Sequence, residues 1–426
     1  MLQAALADGS AGRHCVFEVF TRRLPPGRRY GVLAGVGRVL EAITDFRFGD
    51  AELSWLSRTG VVDAATIDHL ARYRFTGTVS GYAEGECFFP GSPLLVVEGT
   101  FADAVILETV VLSVLNYDSA VASAASRMTS AAADRPCLEM GGRRAHEQAA
   151  VAAARAAVIA GFAGTSNLEA GRRYGLHTIG TAAHSYTLLH DDERAAFEAQ
   201  VAAHGPGTTL LVDTYDVTRG VATAVEVAGT GLGAVRIDSG DLIAQAQEVR
   251  DQLDALGAHR TKIVVSSDLD EYAIAALAAS PVDSYGVGTS VVTGSGAPTC
   301  GMVYKLVARE GADGSLEPVA KAASRKGSTG GRKVAARRLD RSGTAIEEVV
   351  VSGRDDAVAA WAPTDGDLRP LHVPLIEHGA VDARWTGASG VTLAIERHRA
   401  SRGELPRWAR RLSAGDAVLP TVTLTV

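Results

Sequence analysis

Between positions 137 and 290 of the 426-residue chain, short apolar runs repeatedly end in residues able to do chemistry. Cys137–Met140 leads into Gly141, Gly142, Arg143 and Arg144, and a segment near 162 leads into Gly164, Thr165, Ser166 and Asn167. His177–Gly180 leads into Thr181, Ala182, Ala183, His184 and Ser185, and Thr209–Val212 ends at Asp213. Ala234–Ile237 carries Arg236 and runs into Asp238, Ser239, Gly240 and Asp241. Lys262–Ser266 ends at Ser267 and Asp268, and Ser284–Val287 at Gly288, Thr289 and Ser290. Arginines and the backbone amides of glycine-rich turns bind phosphates. Carboxylates bind Mg²⁺ or ribose hydroxyls, and a histidine serves as general base or nucleophile. The set fits a phosphorylated sugar substrate handled with Mg²⁺.

Each residue alone also has a purely structural reading. His184 could be a hydrogen-bonding residue of the fold, Asp213 and Asp238 could cap the helices that follow them, and the glycines could be turn residues. Arg236 is harder to set aside, because a guanidinium inside an apolar strand needs an acidic partner or an anionic ligand. Recurrence at successive strand ends carries the functional reading, since ligands of βα folds gather at the carboxyl ends of the strands.

The elements that would position these residues are legible as spacing. The strand-like runs beginning at 209, 234, 262 and 284 are separated by helix-like stretches, which suits repeated βα units. In 241–256 the residues Ile243, Ala246, Val249, Leu253 and Leu256 fall on one helical face, and Asp270 is placed to cap a helix over 271–279. We therefore expect an α/β protein: an irregular, closed or nearly closed βα barrel over 106–300, with an open doubly wound sheet as the alternative. Residues 1–105 read as an N-terminal α+β lobe, with a strand at Cys15–Phe20, a helix at Val32–Ile43 and two or three strands within Thr76–Val97. Part of 300–345 is expected to complete that lobe. Residues 310–345 read as exposed loops and 301–426 as a small C-terminal domain, whose six arginines between Arg397 and Arg411 suggest a solvated helix face.

Composition narrows the chemistry further. Of the 42 basic residues only five are lysine (Lys262, Lys305, Lys321, Lys326 and Lys333), so no phosphate-loop GxxxxGK[ST] motif exists. Cys15, Cys87, Cys137 and Cys300 form no CxxC pair, and no cysteine follows Cys300, so no structural metal site is expected. A net charge of −7 argues against a nucleic-acid or anionic-membrane binder. The start lacks a signal-peptide pattern and the apolar stretch Ala104–Leu115 is too short to span a bilayer, which suggests a cytoplasmic protein.

The segments FEVFTRRLPPGRRYGVLAGV (17–36), EMGGRRA (139–145), GTSN (164–167), GTAAHSY (180–186), VDTYD (212–216), RIDSGD (236–241), SSDLDE (266–271) and YGVGTSVVT (285–293) occur in the order found in one family. From Met1 to at least Arg337 the chain resembles the nicotinate phosphoribosyltransferases, type II phosphoribosyltransferases of NAD salvage. The resemblance implies that nicotinate and 5-phosphoribosyl 1-diphosphate (PRPP) give nicotinate mononucleotide and pyrophosphate, with coupled hydrolysis of the co-substrate ATP, a ligase-class reaction. It implies a phosphohistidine at His184, catalytic and Mg²⁺- or ribose-binding roles for Asp213 and Asp238, and a further Mg²⁺ or ribose contact at Asp268. Thr181, Arg236 and Ser166 would bind nicotinate, and Arg143, Gly288 and Thr289 the PRPP phosphates. At the position of Ser166 the related nicotinamide enzymes carry an acidic residue, which would repel a carboxylate. The resemblance also implies a homodimer with active sites at the subunit interface. A segment of the form TDxYxLTM, whose tyrosine stacks on the pyridine from the partner, would precede Met1; we expect a misplaced start codon.

Three other readings are open at this level. A nicotinamide or quinolinate enzyme of the same fold is one. A Schiff-base βα-barrel lyase is the second, although Lys262 sits at the wrong end of its strand. A non-enzymatic sugar-phosphate binder, which would not need His184 to turn over ATP, is the third.

Overall fold

A computed structural model describes residues 1–321, 329–363 and 366–426, and the chain divides into two compact units, Met1–Ser123 with Ala297–Val426, and Ala124–Gly296. The part of the expected 310–345 loop at 322–328, including Lys326, lies outside the described residues.

The smaller unit holds the residues singled out for chemistry. Its six strands are β1 (Cys137–Glu139), β2 (Gly164–Thr165), β3 (Thr209–Leu211), β4 (Ala234–Ile237), β5 (Lys262–Ser267) and β6 (Ser284–Val287). They pair in parallel in the order β2-β1-β6-β5-β4-β3. The strands form a curled half-barrel with two open edges rather than a closed barrel. The expected strand at His177–Gly180 shrinks to one bridge, Thr165 to Thr178, because β2 is two residues long and offers no further ladder. β4 is buried except at Arg236, and β5 is buried from Ile263 to Ser266 while Lys262 is exposed, as expected for parallel strands covered by helices.

The returning helices decide how the strand ends are used. Asn167, Asp192, Asp216, Asp241 and Asp270 each accept hydrogen bonds from backbone N–H groups in the first turn of the helix they precede. Each satisfies donors that would otherwise be orphaned. Asp213 and Asp238 therefore do not cap these helices; their neighbours three residues on do. In the Leu242–Ala255 helix only Ala246, Val249 and Leu253 are buried. Ile243 and Leu256, expected on the same face, are exposed at the two ends of the helix.

The other unit is built on a seven-stranded antiparallel sheet. His14–Thr21 lies between Leu95–Thr100 and Met302–Glu310, and Thr78–Tyr82 between Leu95–Thr100 and His372–Glu377. Segment 301–426 is thus not a domain of its own, because four of its strands (Met302–Glu310, Leu316–Pro318, His372–Glu377 and Ala380–Val381) complete the sheet begun by the first hundred residues. The helix expected from Val32 starts at Val36, since Gly31–Val32 pairs with Cys87–Phe88 and Gly35 takes φ +95°.

Residues 334–339 and 345–352, expected partly as loop, form a buried antiparallel pair. Their core contains Arg337, fully buried, which donates to Glu86 Oε1 at 2.9 Å and Glu348 Oε1 at 2.6 Å. Arg369 and Arg397 also approach Glu86, so Arg397 belongs to this network rather than to a solvated face, while Arg399, Arg407, Arg410 and Arg411 are exposed. Burial pushes the Glu86 carboxyl up, and the three guanidiniums outweigh it and bring it to about 2. Lys333, expected in the loop, is buried against Glu18. No helix among the described residues is long and apolar enough to cross a membrane.

His398, 3% exposed, is pushed down to about 3, first by burial and then by the charge of Arg402. A histidine with a lowered folded-state value is neutral in both states above the unfolded value near 6.5 and opposes folding as it charges below that. Stability should therefore decline as pH falls from about 6.5 towards 3, by up to roughly 1.4 kcal/mol per pH unit from this residue. Urea unfolding of His398→Gln should show a shallower decline over that window than the parent protein.

Candidate active site

Four strand ends surround a cavity of about 200 Å³ lined by Met140, Arg143, Arg144, Arg236, Asp238, Ser266, Ser267, Asp268, Gly286, Gly288 and Thr289. Its centre is Arg236, whose side chain is 12% exposed. The guanidinium donates from Nε to Ser266 Oγ at 2.7 Å and from Nη1 to Thr181 Oγ1 at 2.7 Å, and its Nη2 lies 2.9 Å from Asp238 Oδ1. Ser266 Oγ in turn donates to Asp238 Oδ1 at 2.5 Å. A guanidinium carries five N–H donors; these contacts engage three, so two remain for a planar anionic ligand. Burial raises the Asp238 carboxyl, but the Ser266 hydrogen bond, the Arg236 charge and His184 outweigh it and hold it below the usual carboxylate range.

Asp213 stands behind this pair. Its Oδ2 accepts from the Asp238 backbone N–H and from Ser239 Oγ, both at 2.8 Å, while its buried Oδ1 accepts no hydrogen bond among the described residues. His184 opens the helix His184–Leu189. Its Nε2 faces both carboxylates, 3.9 Å from Asp213 Oδ1 and 3.8 Å from Asp238 Oδ2. Its Nδ1 is 3.2 Å from Thr214 Oγ1. The ring is 41% exposed, so one imidazole nitrogen sits beside two carboxylates within reach of solvent-borne ligands.

The arginine-bearing turn is held from below. Glu139, fully buried at the end of β1, accepts from the Gly141 N–H and the Thr165 hydroxyl, while burial raises its carboxyl and these two donors oppose the rise. Gly141 is required by space: a Cβ there would lie 2.3 Å from Val292 Cγ1 and 2.7 Å from Gly288 O. Arg143 and Arg144 leave this turn exposed, and no ion pair to either is found among the described residues.

Of the residues singled out from sequence, His184, Thr181, Arg236, Asp213 and Asp238 form one hydrogen-bonded or ion-paired group, and Arg143, Asp268, Gly288 and Thr289 line the cavity beside it. Ser166 is exposed at the end of β2 and does not line that cavity. Ser266 and Thr214, which orient Arg236 and His184, were not singled out. The detectable signal for Ser266 is a hydroxyl residue inside the apolar run of β5, next to the strand that carries Arg236.

The arrangement defines an α/β protein with a cavity lined by arginines and flanked by carboxylates at the carboxyl ends of its parallel strands. Residues 1–116 match the family model of the nicotinate phosphoribosyltransferase N-terminal domain. Over the whole chain, the sequence is 55% identical to nicotinate phosphoribosyltransferase pncB1 of Mycobacterium tuberculosis, covering 93% of that protein. It is 37% identical to nicotinate phosphoribosyltransferase of Bacillus subtilis, over 76% of this chain and 68% of that one. The crystal structure of human nicotinic acid phosphoribosyltransferase superposes with a TM-score of 0.84 at 26% identity, over 99% of this chain and 96% of the human one. The chain belongs to the nicotinate phosphoribosyltransferase family.

Gly141→Ala should displace the Arg143–Arg144 turn, because the clash is with backbone as well as with a branched side chain. Its expected signature is a PRPP affinity weakened by about tenfold or more with secondary structure retained, read by titration calorimetry and circular dichroism.

Proposed function

We propose that the protein catalyses ATP-coupled synthesis of nicotinate mononucleotide from nicotinate and PRPP through a phosphohistidine at His184, as a step of NAD salvage. The observation that carries this reading is His184 Nε2 standing within 4 Å of the carboxylates of both Asp213 and Asp238, the latter paired with Arg236.

In the tautomer whose Nδ1 donates to Thr214, Nε2 holds the lone pair that would attack the γ-phosphorus of ATP. The N–P bond forms as the bond to the β,γ-bridging oxygen breaks, and ADP leaves. The new phosphoryl charge would lie beside two carboxylates, which calls for a cation. The unpartnered Asp213 Oδ1 together with Asp238 fits a hard divalent ion completed by substrate oxygens. Mg²⁺ held there would neutralise phosphate charge.

In the transfer step, the C1–O bond to pyrophosphate breaks as the pyridine nitrogen forms its bond to C1. Arg143, Gly288 and Thr289 would hold the phosphates, with Arg144 added from the cavity lining, and fixed positive groups there stabilise the departing pyrophosphate. Asp238, ionised and fixed by Arg236 and Ser266, faces the ribose, where its charge favours the oxocarbenium-like state. The two remaining N–H donors of Arg236, with Thr181, suit the nicotinate carboxylate. Ser166, although outside the cavity lining, adds no negative charge near it. Asp268 is a second ribose or Mg²⁺ contact. The exposed Leu188 and Leu189, directly after the His184 turn, support a homodimer that covers them.

Incubation with PRPP and nicotinate, nicotinamide or quinolinate, with and without ATP, tests the reading. Nicotinate mononucleotide should form fastest with ATP present; no product from nicotinate under any condition would overturn it. His184→Ala should abolish ATP hydrolysis and leave slow uncoupled transfer, and undiminished ATP turnover in that variant would refute the phosphohistidine.

A further inference from the structure

The SSDLDE segment contributes Ser266, Ser267 and Asp268 to the cavity and Asp270 to a helix cap, and the proposed function gives Glu271 no part. Its side chain is 2% exposed, and its two oxygens are used in different directions. Oε1 accepts from Arg127 Nε at 2.9 Å, and Arg127, itself 7% exposed, also donates to the Tyr272 hydroxyl at 3.3 Å. Oε2 accepts from Ser295 Oγ at 2.6 Å.

Ser295 closes the turn behind the short helix Thr289–Val292, whose first residue Thr289 and preceding Gly288 line the cavity. The turn is tight: Gly294, Ser295 and Gly296 all take left-handed φ values of +64°, +50° and +81°. Glycine adopts that region freely, but serine does so at a cost. The Ser295 N–H donates to Ser290 O at 2.6 Å, and the Thr293 hydroxyl to Thr289 O at 2.9 Å. Val292 of the same helix fills the space that Gly141 leaves beside the arginine turn. A buried charged pair thus grips the one non-glycine residue of a strained turn, and that turn fixes both phosphate-facing segments.

We infer that Glu271 is a positioning residue for PRPP: anchored by Arg127, it holds Ser295 and so sets the place of Gly288 and Thr289 and, through Val292, of the Arg143–Arg144 turn. The inference rests on the proposed PRPP site. Glu271 touches no substrate, and nicotinate, held from Arg236 and Thr181, should be insensitive to it.

The test compares Glu271→Gln, Ser295→Ala and Ser295→Gly in the full-length protein, measuring PRPP affinity by calorimetry, KM for PRPP and for nicotinate, and melting temperature. Glu271→Gln and Ser295→Ala should weaken PRPP binding and raise its KM by about tenfold, with the nicotinate KM changed by less than about twofold. Ser295→Gly separates the hydrogen bond from the strain. It relieves the backbone but still lacks the hydroxyl, so it too should lose PRPP affinity. Unchanged PRPP affinity in Glu271→Gln and Ser295→Ala overturns the inference, whatever happens to melting. So does an equal rise in both KM values, which would mark general damage, and so does full PRPP affinity in Ser295→Gly. If the parent protein itself neither binds PRPP nor forms product, the proposed function falls and this inference with it; parent binding with unaffected variants sinks the positioning role alone.

Discussion

A guanidinium that is nearly nine-tenths buried in a parallel strand is the constraint around which this site is arranged. Arg236 cannot sit in β4 without anions and acceptors close by, because desolvating an unpaired charge costs far more than a domain can spare. Asp238 supplies the charge, Ser266 and Thr181 the acceptors, and each comes from a different element. The same contacts hold Asp238 ionised and facing His184. Electrostatic satisfaction of one strand residue therefore orients the acid that meets the histidine, and brings the Thr181 segment against the sheet rim.

The second organising element is the buried polar floor under the rim. Glu139 grips the Gly141 N–H and the Thr165 hydroxyl, and Glu271 grips Arg127 and Ser295. Both are buried carboxylates outside the cavity lining, and each is hydrogen-bonded to a turn beside it. Such fully engaged groups rigidify a site at little net change in stability. In the other unit the Arg337–Glu86–Glu348 network plays a comparable part, tying the strands of 334–352 to the segment around Glu86.

Much of this was legible as pattern. The runs beginning at 209, 234, 262 and 284 became β3 to β6 within a residue or two, because parallel strands buried on both faces leave continuous apolar signatures. Asp270 capped its helix as the local rule requires. What the pattern could not carry were pairings across long sequence separations. Part of 300–345 is expected to complete the N-terminal lobe, but nothing local gives the register of Met302–Glu310 beside His14–Thr21, or says that Lys333 and Arg337 would be buried by Glu18 and Glu86. Likewise, local chemistry left Asp213 and Asp238 undecided between cap and ligand. The answer lay three residues away, in Asp216 and Asp241, and became visible only once the helix starts were fixed.

That three-residue offset has a wider meaning. At two successive βα corners one aspartate stands within 4 Å of His184 Nε2 and a second, three positions on, anchors the helix. Capping the helix and facing the histidine are thus given to separate residues of the same short loop. Replacing the aspartate that faces His184 therefore leaves the cap of the following helix in place, and each corner keeps its helix start independently of the residue turned toward the histidine.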